Sequence, residues 1–303
     1  MTDVHTGLSF TGQAAAAHAG LIAVLQPIAY AIVALVVLYT ARHLFFTMNR
    51  LFGRQRHPYL DITQASWPLV TVIIPAHNEQ PVIAHILERM IAVDYPPDRL
   101  KILCIDDRST DATPAILDDF ANRHPGRVQV LHRPPDAQPG KAAALVDATA
   151  YLMGDIALVF DADYLPGAGL VKQLVAPFFD PEVGGVMGRV VPYNSGSNLL
   201  THLLELERAG GYQVDQQARA NLRLIPQFGG TVGGVRASAL RAIGGWDPRA
   251  LAEDTDITYR LVIAGWKIAY QNRSECYEEV VESWPARLQG LGAHGQTGGD
   301  RSA

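Results

Sequence analysis

Ile156-Ala157-Leu158-Val159-Phe160-Asp161-Ala162-Asp163 joins an apolar run to two carboxylates one residue apart. Five successive apolar residues read as a strand buried on both faces, the pattern of a parallel sheet covered by helices. Tyr164-Leu165-Pro166-Gly167 follows and reads as a turn. In an open α/β sheet, ligands bind outside the carboxyl ends of the strands. Aspartates at i and i+2 on extended backbone can share a hard divalent cation through oxygen, which makes Asp161 and Asp163 candidate metal ligands. The chemistry this stretch predicts is a metal carrying a phosphorylated substrate.

The flanking sequence supplies the rest of such a sheet. Val70 to Pro75 is a β-branched run, and Pro81 to Val93 shows helical spacing through Val82, Ile86, Met90 and Val93. Lys101 to Asp106 is a second strand, and Asp111 to Phe120 a second helix with Thr113-Pro114 in its first turn. Val128 to His132 is a third strand, followed by an alanine-rich helix from Lys141 to Met153 and then the fourth strand, Ile156 to Phe160. This alternation implies a mostly parallel sheet with right-handed crossovers. Three strand ends then carry polar clusters along one edge: Ala76-His77-Asn78-Glu79, Asp107-Arg108-Ser109-Thr110-Asp111 and Asp161-Ala162-Asp163. No Gly-x-Gly-x-x-Gly follows the first strand and no Walker sequence occurs, which argues against a dinucleotide dehydrogenase or a P-loop NTPase.

The second half reads differently. Leu199 to Ala220 is a long amphipathic helix with Leu203, Leu206, Ala209 and Val214 on its apolar side. In Phe228-Gly229-Gly230-Thr231-Val232-Gly233-Gly234 the glycines let backbone approach a ligand closely. Gly244 to Pro248 is a loop, and Glu253-Asp254 opens a helix through Ile257, Leu261 and Ile263 that Gly265 closes. Lys267 to Gln271 is a last strand.

At 303 residues the chain holds one large domain or two small ones. A net charge of −5 and the absence of a basic stripe give no nucleic-acid signature. Cys104 and Cys276 allow one bridge at most and no zinc spacing, so a reducing compartment is expected. His77, His85 and His202 show no ligand spacing and read as structural. Residues 21–41 carry no charge, and roughly 20 residues cross a bilayer core. Residues 1–20 hold no Lys or Arg, whereas Arg42, Arg50, Arg54 and Arg56 lie beyond the span. The positive-inside rule therefore predicts an extracytoplasmic N-terminus, a single-pass helix in the cell (inner) membrane and a cytoplasmic remainder. Residues 42–66 read as a basic juxtamembrane linker whose arginines and Phe45, Phe46 and Phe52 lie along anionic lipid headgroups.

With these motifs in order, the chain resembles the processive branch of glycosyltransferase family 2, the group of the cellulose, hyaluronan and poly-N-acetylglucosamine synthases. The resemblance covers roughly residues 69 to 285, and residues 67–285 are the expected catalytic domain. It implies the GT-A fold, a Rossmann-like, mostly parallel mixed α/β sheet. Ile74-Pro75-Ala76-His77-Asn78-Glu79 resembles the first nucleotide-binding loop, which makes Asn78 and Glu79 donor contacts. Ile105-Asp106-Asp107-Arg108-Ser109-Thr110-Asp111 resembles the second, where one of the two leading aspartates meets the nucleotide base; Asp107 is preferred. Gly140-Lys141-Ala142 resembles a turn at the nucleotide end, and Asp161-Ala162-Asp163 the motif for Mg2+ or Mn2+ and the nucleotide-sugar. Phe228-Gly229-Gly230-Thr231 is similar to the acceptor loop, with Gly230, Thr231 and Glu253 on the acceptor side. Glu253-Asp254 matches a Thr-Glu-Asp element in which Ala252 replaces threonine, and it implies Asp254 as the base of an inverting transfer.

The resemblance departs at the far end. Members of that branch carry Gln-x-x-Arg-Trp after the last catalytic strand, whereas here Gln289 is followed by Gly290 to Gly295 and a Gly-rich, polar stretch to Ala303. Residues 286–303 read as a disordered tail, as if the chain were cut before the motif, with transfer impaired more than nucleotide binding. The expected activity is hexosyl transfer from a nucleoside-diphosphate sugar, with UDP preferred, to a polysaccharide or lipid-linked acceptor. One N-terminal span fits a lipid acceptor, as in dolichyl-phosphate mannosyltransferase-like enzymes. The alternative is a catalytically inactive nucleotide-sugar-binding subunit that works beside a membrane partner.

Overall fold

A computed structural model describes residues 5–56, 66–250 and 252–288. The chain divides into two units, Met1–Gly53 and Arg54–Ala303. The first is a single helix, α1 (His5–Phe52), within which Gly20–Phe52 is long and apolar enough to cross a membrane. Gln26, Thr40 and Thr47 are satisfied within the helix, as apolar surroundings require. Gln26 Nε2 donates to the Tyr30 hydroxyl at 2.9 Å, and the Thr40 and Thr47 hydroxyls donate to the carbonyls of Val36 and His43. Helix α1 continues beyond residue 41 to Phe52, so the first part of the expected linker is helical. Residues 57–65 of that linker lie outside the described residues.

The second unit is built on one eight-stranded sheet. Its strands are β1 (Val70–Ala76), β2 (Leu100–Asp106), β3 (Val128–His132), β4 (Ile156–Val159), β5 (Leu165–Pro166), β6 (Val183–Pro192), β7 (Gly233–Arg236) and β8 (Lys267–Glu278), in the spatial order β3-β2-β1-β4-β7-β6-β8-β5. The helices are α2 (Ile83–Ile91), α3 (Thr113–Arg123), α4 (Lys141–Ala148), α5 (Leu170–Val175), α6 (Leu199–Ala209), α7 (Gln217–Asn221), α8 (Ala237–Ala242) and α9 (Glu253–Ile263). Strands β1 to β4 are mutually parallel, as the βαβ alternation predicts. Alternation along β1 splits the core into two layers. Val70, Val72 and Ile74 pack with α2, α3 and α5 on one face, whereas Ile73 packs with α4, α8 and α9 on the other. Strand β7 breaks the parallel order by lying antiparallel between β4 and β6.

The register sets the functional edge. Ala76 lies beside Asp106 and Asp106 beside His132, so β1, β2 and β3 end at one level. Val159 pairs with Ile73, and two more residues along the same register bring Asp161 level with Pro75.

Several elements differ from the sequence reading. Leu165-Pro166, read as a turn, is an edge strand antiparallel to Cys276 and Tyr277; proline is tolerated there because an edge leaves its missing N–H unneeded. The last strand runs to Glu278 rather than stopping at Gln271. Strand β6 was not foreseen, because Gly184, Gly185 and Gly188 obscure its β pattern. The predicted helix from Leu199 to Ala220 is continuous, but a widened π-helical turn, Gly210–Gln216, separates α6 from α7. Gln55 and Arg56, read as linker, are held by α7: Arg56 N donates to Asn221 Oδ1 at 3.0 Å, and Asn221 Nδ2 to Gln55 Oε1 at 3.2 Å. Residues 284–288 of the segment around the expected tail are helical, and Arg287 pairs with Glu207 at 3.1 Å; residues 289–303, with Gln289, lie outside the described residues.

Two positions in the sheet bear on stability. A Cβ on Gly234 would stand 2.2 Å from the Ala157 carbonyl oxygen across the β4–β7 seam. Gly234→Ala is therefore expected to cost about 1–3 kcal/mol, read as a lowered midpoint in thermal unfolding. Both ring nitrogens of His132 donate to carboxylates, Asp106 and Asp118, each at 3.0 Å, and the hydrogen bond to Asp106 leads in holding its pKa above the ordinary value. Its contribution is complete below the unfolded value of about 6.5 and lost as pH rises through the folded one. His132→Asn should thus lower the melting temperature more at about pH 5 than at about pH 9.

Candidate active site

The first two strand-end loops are laced together by side chain to backbone bonds. Asn78, with φ of 56°, donates its N–H to Ser109 Oγ at 3.0 Å, and its Oδ1 accepts from Thr110 N at 2.8 Å. Glu79 N donates to Thr113 Oγ1 at 2.9 Å, and Gln80 N to Asp111 Oδ2 at 3.1 Å. His77 Nδ1 donates to the Asp107 carbonyl at 2.6 Å. Asn78 thus ties the first strand-end loop to the second. Asp107 is nearly buried, and its carboxylate accepts from Arg133 Nη1 at 2.5 Å, Arg108 Nε at 3.0 Å and Gly140 N at 3.1 Å. The last of these ties the second loop to the turn that presents Lys141. Asp106 faces the other way, accepting from Ser109 N and His132, so of the two aspartates Asp107 is the one joined to the Lys141 turn.

Lys141, at the start of α4, reaches Asp161 Oδ1 at 2.5 Å. Asp163 is exposed by area, yet protein atoms crowd its carboxyl; that crowding and the Asp161 charge push its pKa up. Lys141 pairs with Asp161, so the two neighbouring carboxylates carry more negative charge than this one ammonium answers. Among the described residues no group of three or more His, Cys, Asp and Glu is arranged to hold a metal. An all-oxygen pair suits Mg2+ or Mn2+ that keeps waters and takes its remaining ligands from substrate phosphates, so the residues present fit such an ion.

The glycine-rich loop joins this edge to α9. Thr231 Oγ1 accepts from Asp161 N at 3.1 Å. Gly230 has φ of +70°, and a Cβ there would stand 3.2 Å from Glu253 Oε1 and 3.3 Å from Asp254 Cβ. The loop backbone therefore lies directly against the Glu253-Asp254 pair. Next to it Val232, fully buried, holds φ of 48°, a costly conformation for a β-branched residue that its surroundings enforce. Crowding is the main cause raising the Glu253 pKa; Lys141 opposes it, and Asp254 and Asp161 add to it. A chain of contacts thus runs from Asn78 through Asp107, Gly140, Lys141, Asp161 and Thr231 to the glycine-rich loop, whose Gly230 lies against Glu253 and Asp254.

Sequence reasoning missed three groups. Arg133 is almost wholly buried and bridges Asp107 and Asp147, at 2.5 and 2.7 Å; a cation directly after a strand end was its only signal. Glu278, buried at the end of β8, accepts from Arg208 Nε at 2.7 Å and adds to the field that raises Asp163. Tyr212, in the π-helical turn, has its hydroxyl pKa pushed up to about 12, by burial first. Asp161 and Asp254 both contribute to that shift, which puts Tyr212 within reach of both fields.

A sequence profile of the glycosyltransferase-like family 2 matches residues 68–294. The chain is 35% identical over 218 residues to YdaM, a probable glycosyltransferase of Bacillus subtilis (strain 168), covering 72% of this chain and 52% of that protein. It is 35% identical over 208 residues to the beta-monoglucosyldiacylglycerol synthase of Synechocystis sp. (strain ATCC 27184 / PCC 6803 / Kazusa), covering 69% and 43%. The chain spans about half the length of the curated relatives it matches. The mannosyltransferase PcManGT from Pyrobaculum calidifontis, solved in complex with GDP-Man and Mn2+, superposes with a TM-score of 0.67 at 26% identity, covering 86% of this chain and 74% of that one. The fold is the GT-A type expected from the sequence, and the chain belongs to the glycosyltransferase-like family 2.

Proposed function

We propose that this glycosyltransferase moves a hexosyl group from a nucleoside-diphosphate sugar to the hydroxyl of a membrane lipid, with inversion at the anomeric carbon. The observation that carries the reading is the juxtaposition of Asp161, Thr231, Gly230 and Asp254 along one continuous edge. The relatives named as glycolipid synthases favour a lipid acceptor over a polymer. An apolar helix long enough to anchor the chain fits an acceptor that stays in the membrane. In this reading α1 crosses the membrane once, and the catalytic unit lies on the cytoplasmic side.

The chemistry assigns a task to each residue. Asn78, Glu79, Asp107 and Lys141 line the donor pocket, with Lys141 offering an ammonium to the diphosphate. Asp161 and Asp163 would hold Mg2+ or Mn2+, which when bound would neutralise charge on the leaving diphosphate. The acceptor oxygen forms its bond to the anomeric carbon while the bond from that carbon to the diphosphate oxygen breaks and the diphosphate leaves with the electron pair. Asp254 takes the acceptor's proton, a step that typically contributes about 10²–10⁴-fold. Gly230 leaves room for the acceptor beside Asp254, and Thr231 keeps that loop in register with Asp161.

Isothermal titration of UDP with Mn2+ should show binding that Asp163→Ala abolishes and Asp254→Asn leaves intact. No binding, or binding indifferent to Asp163→Ala, would refute the donor site. With diacylglycerol in micelles and radiolabelled UDP- and GDP-hexoses, Asp254→Asn should lower transfer by at least about 10²-fold. Label found only in polymer, or no turnover without an added subunit, would replace the glycolipid reading. Gly230→Ala should reduce transfer with little change in donor affinity, measured in the same two assays.

A further inference from the structure

The π-helical turn Gly210–Gln216 packs on the sheet through Tyr212, whose carbonyl accepts from the Tyr270 hydroxyl at 2.7 Å, and it also directs one side chain at the acceptor loop. A π turn inserts an extra residue and so rotates the succeeding side chains relative to a regular α-helix. Gln217 faces the core, accepting from Asn272 Nδ2 at 2.9 Å and donating to Asn221 Oδ1 at 2.8 Å. Gln216 points elsewhere. Its Oε1 accepts from Gln227 N at 3.0 Å and its Nε2 donates to the Gln227 carbonyl at 3.4 Å, a two-point grip on one residue's main chain.

From Gln227 the strap continues into α9. Gln227 Nε2 donates to Thr255 Oγ1 at 2.7 Å, next to Asp254. Phe228 N donates to Thr258 Oγ1 at 3.0 Å, and that hydroxyl donates to the Asp254 carbonyl at 2.8 Å. Gly230, two residues on, packs against Glu253 and Asp254. Residues 222–232 form no helix or strand. The loop is held by single bonds, from Arg219 to the Ile225 carbonyl, from Asp161 N to Thr231 Oγ1 and from Gly188 N to the Val232 carbonyl, and by buried Phe228. Gln216 is the side chain that grips its main chain at two points on one residue.

We propose that Gln216 is a positioning residue: the π-helical turn aims it to clamp the Gln227 backbone, and through Thr255 this clamp sets the spacing between the acceptor loop and Asp254. The proposal rests on the reading of Asp254 as the base. It concerns the acceptor half alone, because the donor-side bonds run through Asn78, Asp107 and Lys141, none of which touches Gln216.

Gln216→Met keeps the length of the side chain and removes both bonds. It is expected to lower kcat for transfer by about tenfold, two neutral hydrogen bonds being lost, while the Kd for UDP with Mn2+ stays within about twofold of the unaltered protein. Gln216→Glu retains an acceptor for the Gln227 N–H and should fall between the two. Amide hydrogen exchange should speed up in residues 226–231 and stay unchanged in β1 to β4. Should Gln216→Met fail to fold, Thr255→Val cuts the same strap at its other end and is expected to reproduce the loss in kcat. Unchanged kcat and exchange in Gln216→Met, or a parallel fall in UDP affinity and melting temperature, would overturn the proposal. If Asp254→Asn retains transfer, the base assignment fails by itself, and the exchange pattern of Gln216→Met still decides whether Gln216 holds the loop.

Discussion

Strand β4 is the constraint on which the rest of this molecule depends. On one side it pairs parallel with β1, and on the other antiparallel with β7. The parallel neighbours deliver the first two strand-end loops; the antiparallel neighbour delivers the glycine-rich loop. Because both are hydrogen-bonded to the same four residues, the two halves of the site cannot drift apart without breaking the centre of the sheet. The bond from Asp161 N to Thr231 Oγ1 extends that seam one step beyond the sheet. The cost is steric, since β7 must come so close that residue 234 can carry no side chain.

The charges divide along the same seam. On the donor side, carboxylates are mostly answered by cations of the chain itself: Asp107 by Arg133 and Arg108, Asp161 by Lys141. Glu278, answered by Arg208, closes the far side. Asp163 and Glu253, by contrast, are carboxyls whose protonation the surroundings favour, desolvation by surrounding protein atoms being the first cause in each. The paired charges keep the loops along this edge in shape.

Much of this was legible in the sequence because it is local. Strands β1 to β4 announce themselves as short apolar runs, and their polar ends fall on one edge by topology alone. Strand β6 was hidden because its glycines serve close packing and lack β propensity: a Cβ on Gly184 would meet Trp266 at 2.6 Å, a contact formed with a residue far along the chain. The π turn was hidden because its contacts are with Gln227 and Tyr270, and nothing in residues 210–216 alone distinguishes it from more α-helix. Arg133 and Glu278 were missed for the same reason, since a buried charge becomes meaningful only beside its distant partner. Asp161 was marked by its place at a strand end, whereas Lys141 and Asp254 were named only through the resemblance to family motifs.

The two-residue strand Leu165-Pro166 occupies the outer position beside β8. A sheet edge normally offers a ladder of free N–H and C=O groups that a second chain can extend. Here that ladder is two residues long, and one of them has no N–H to offer. Strand-by-strand addition onto β5 therefore has almost nothing to build on, whereas the opposite margin, β3, offers a five-residue ladder.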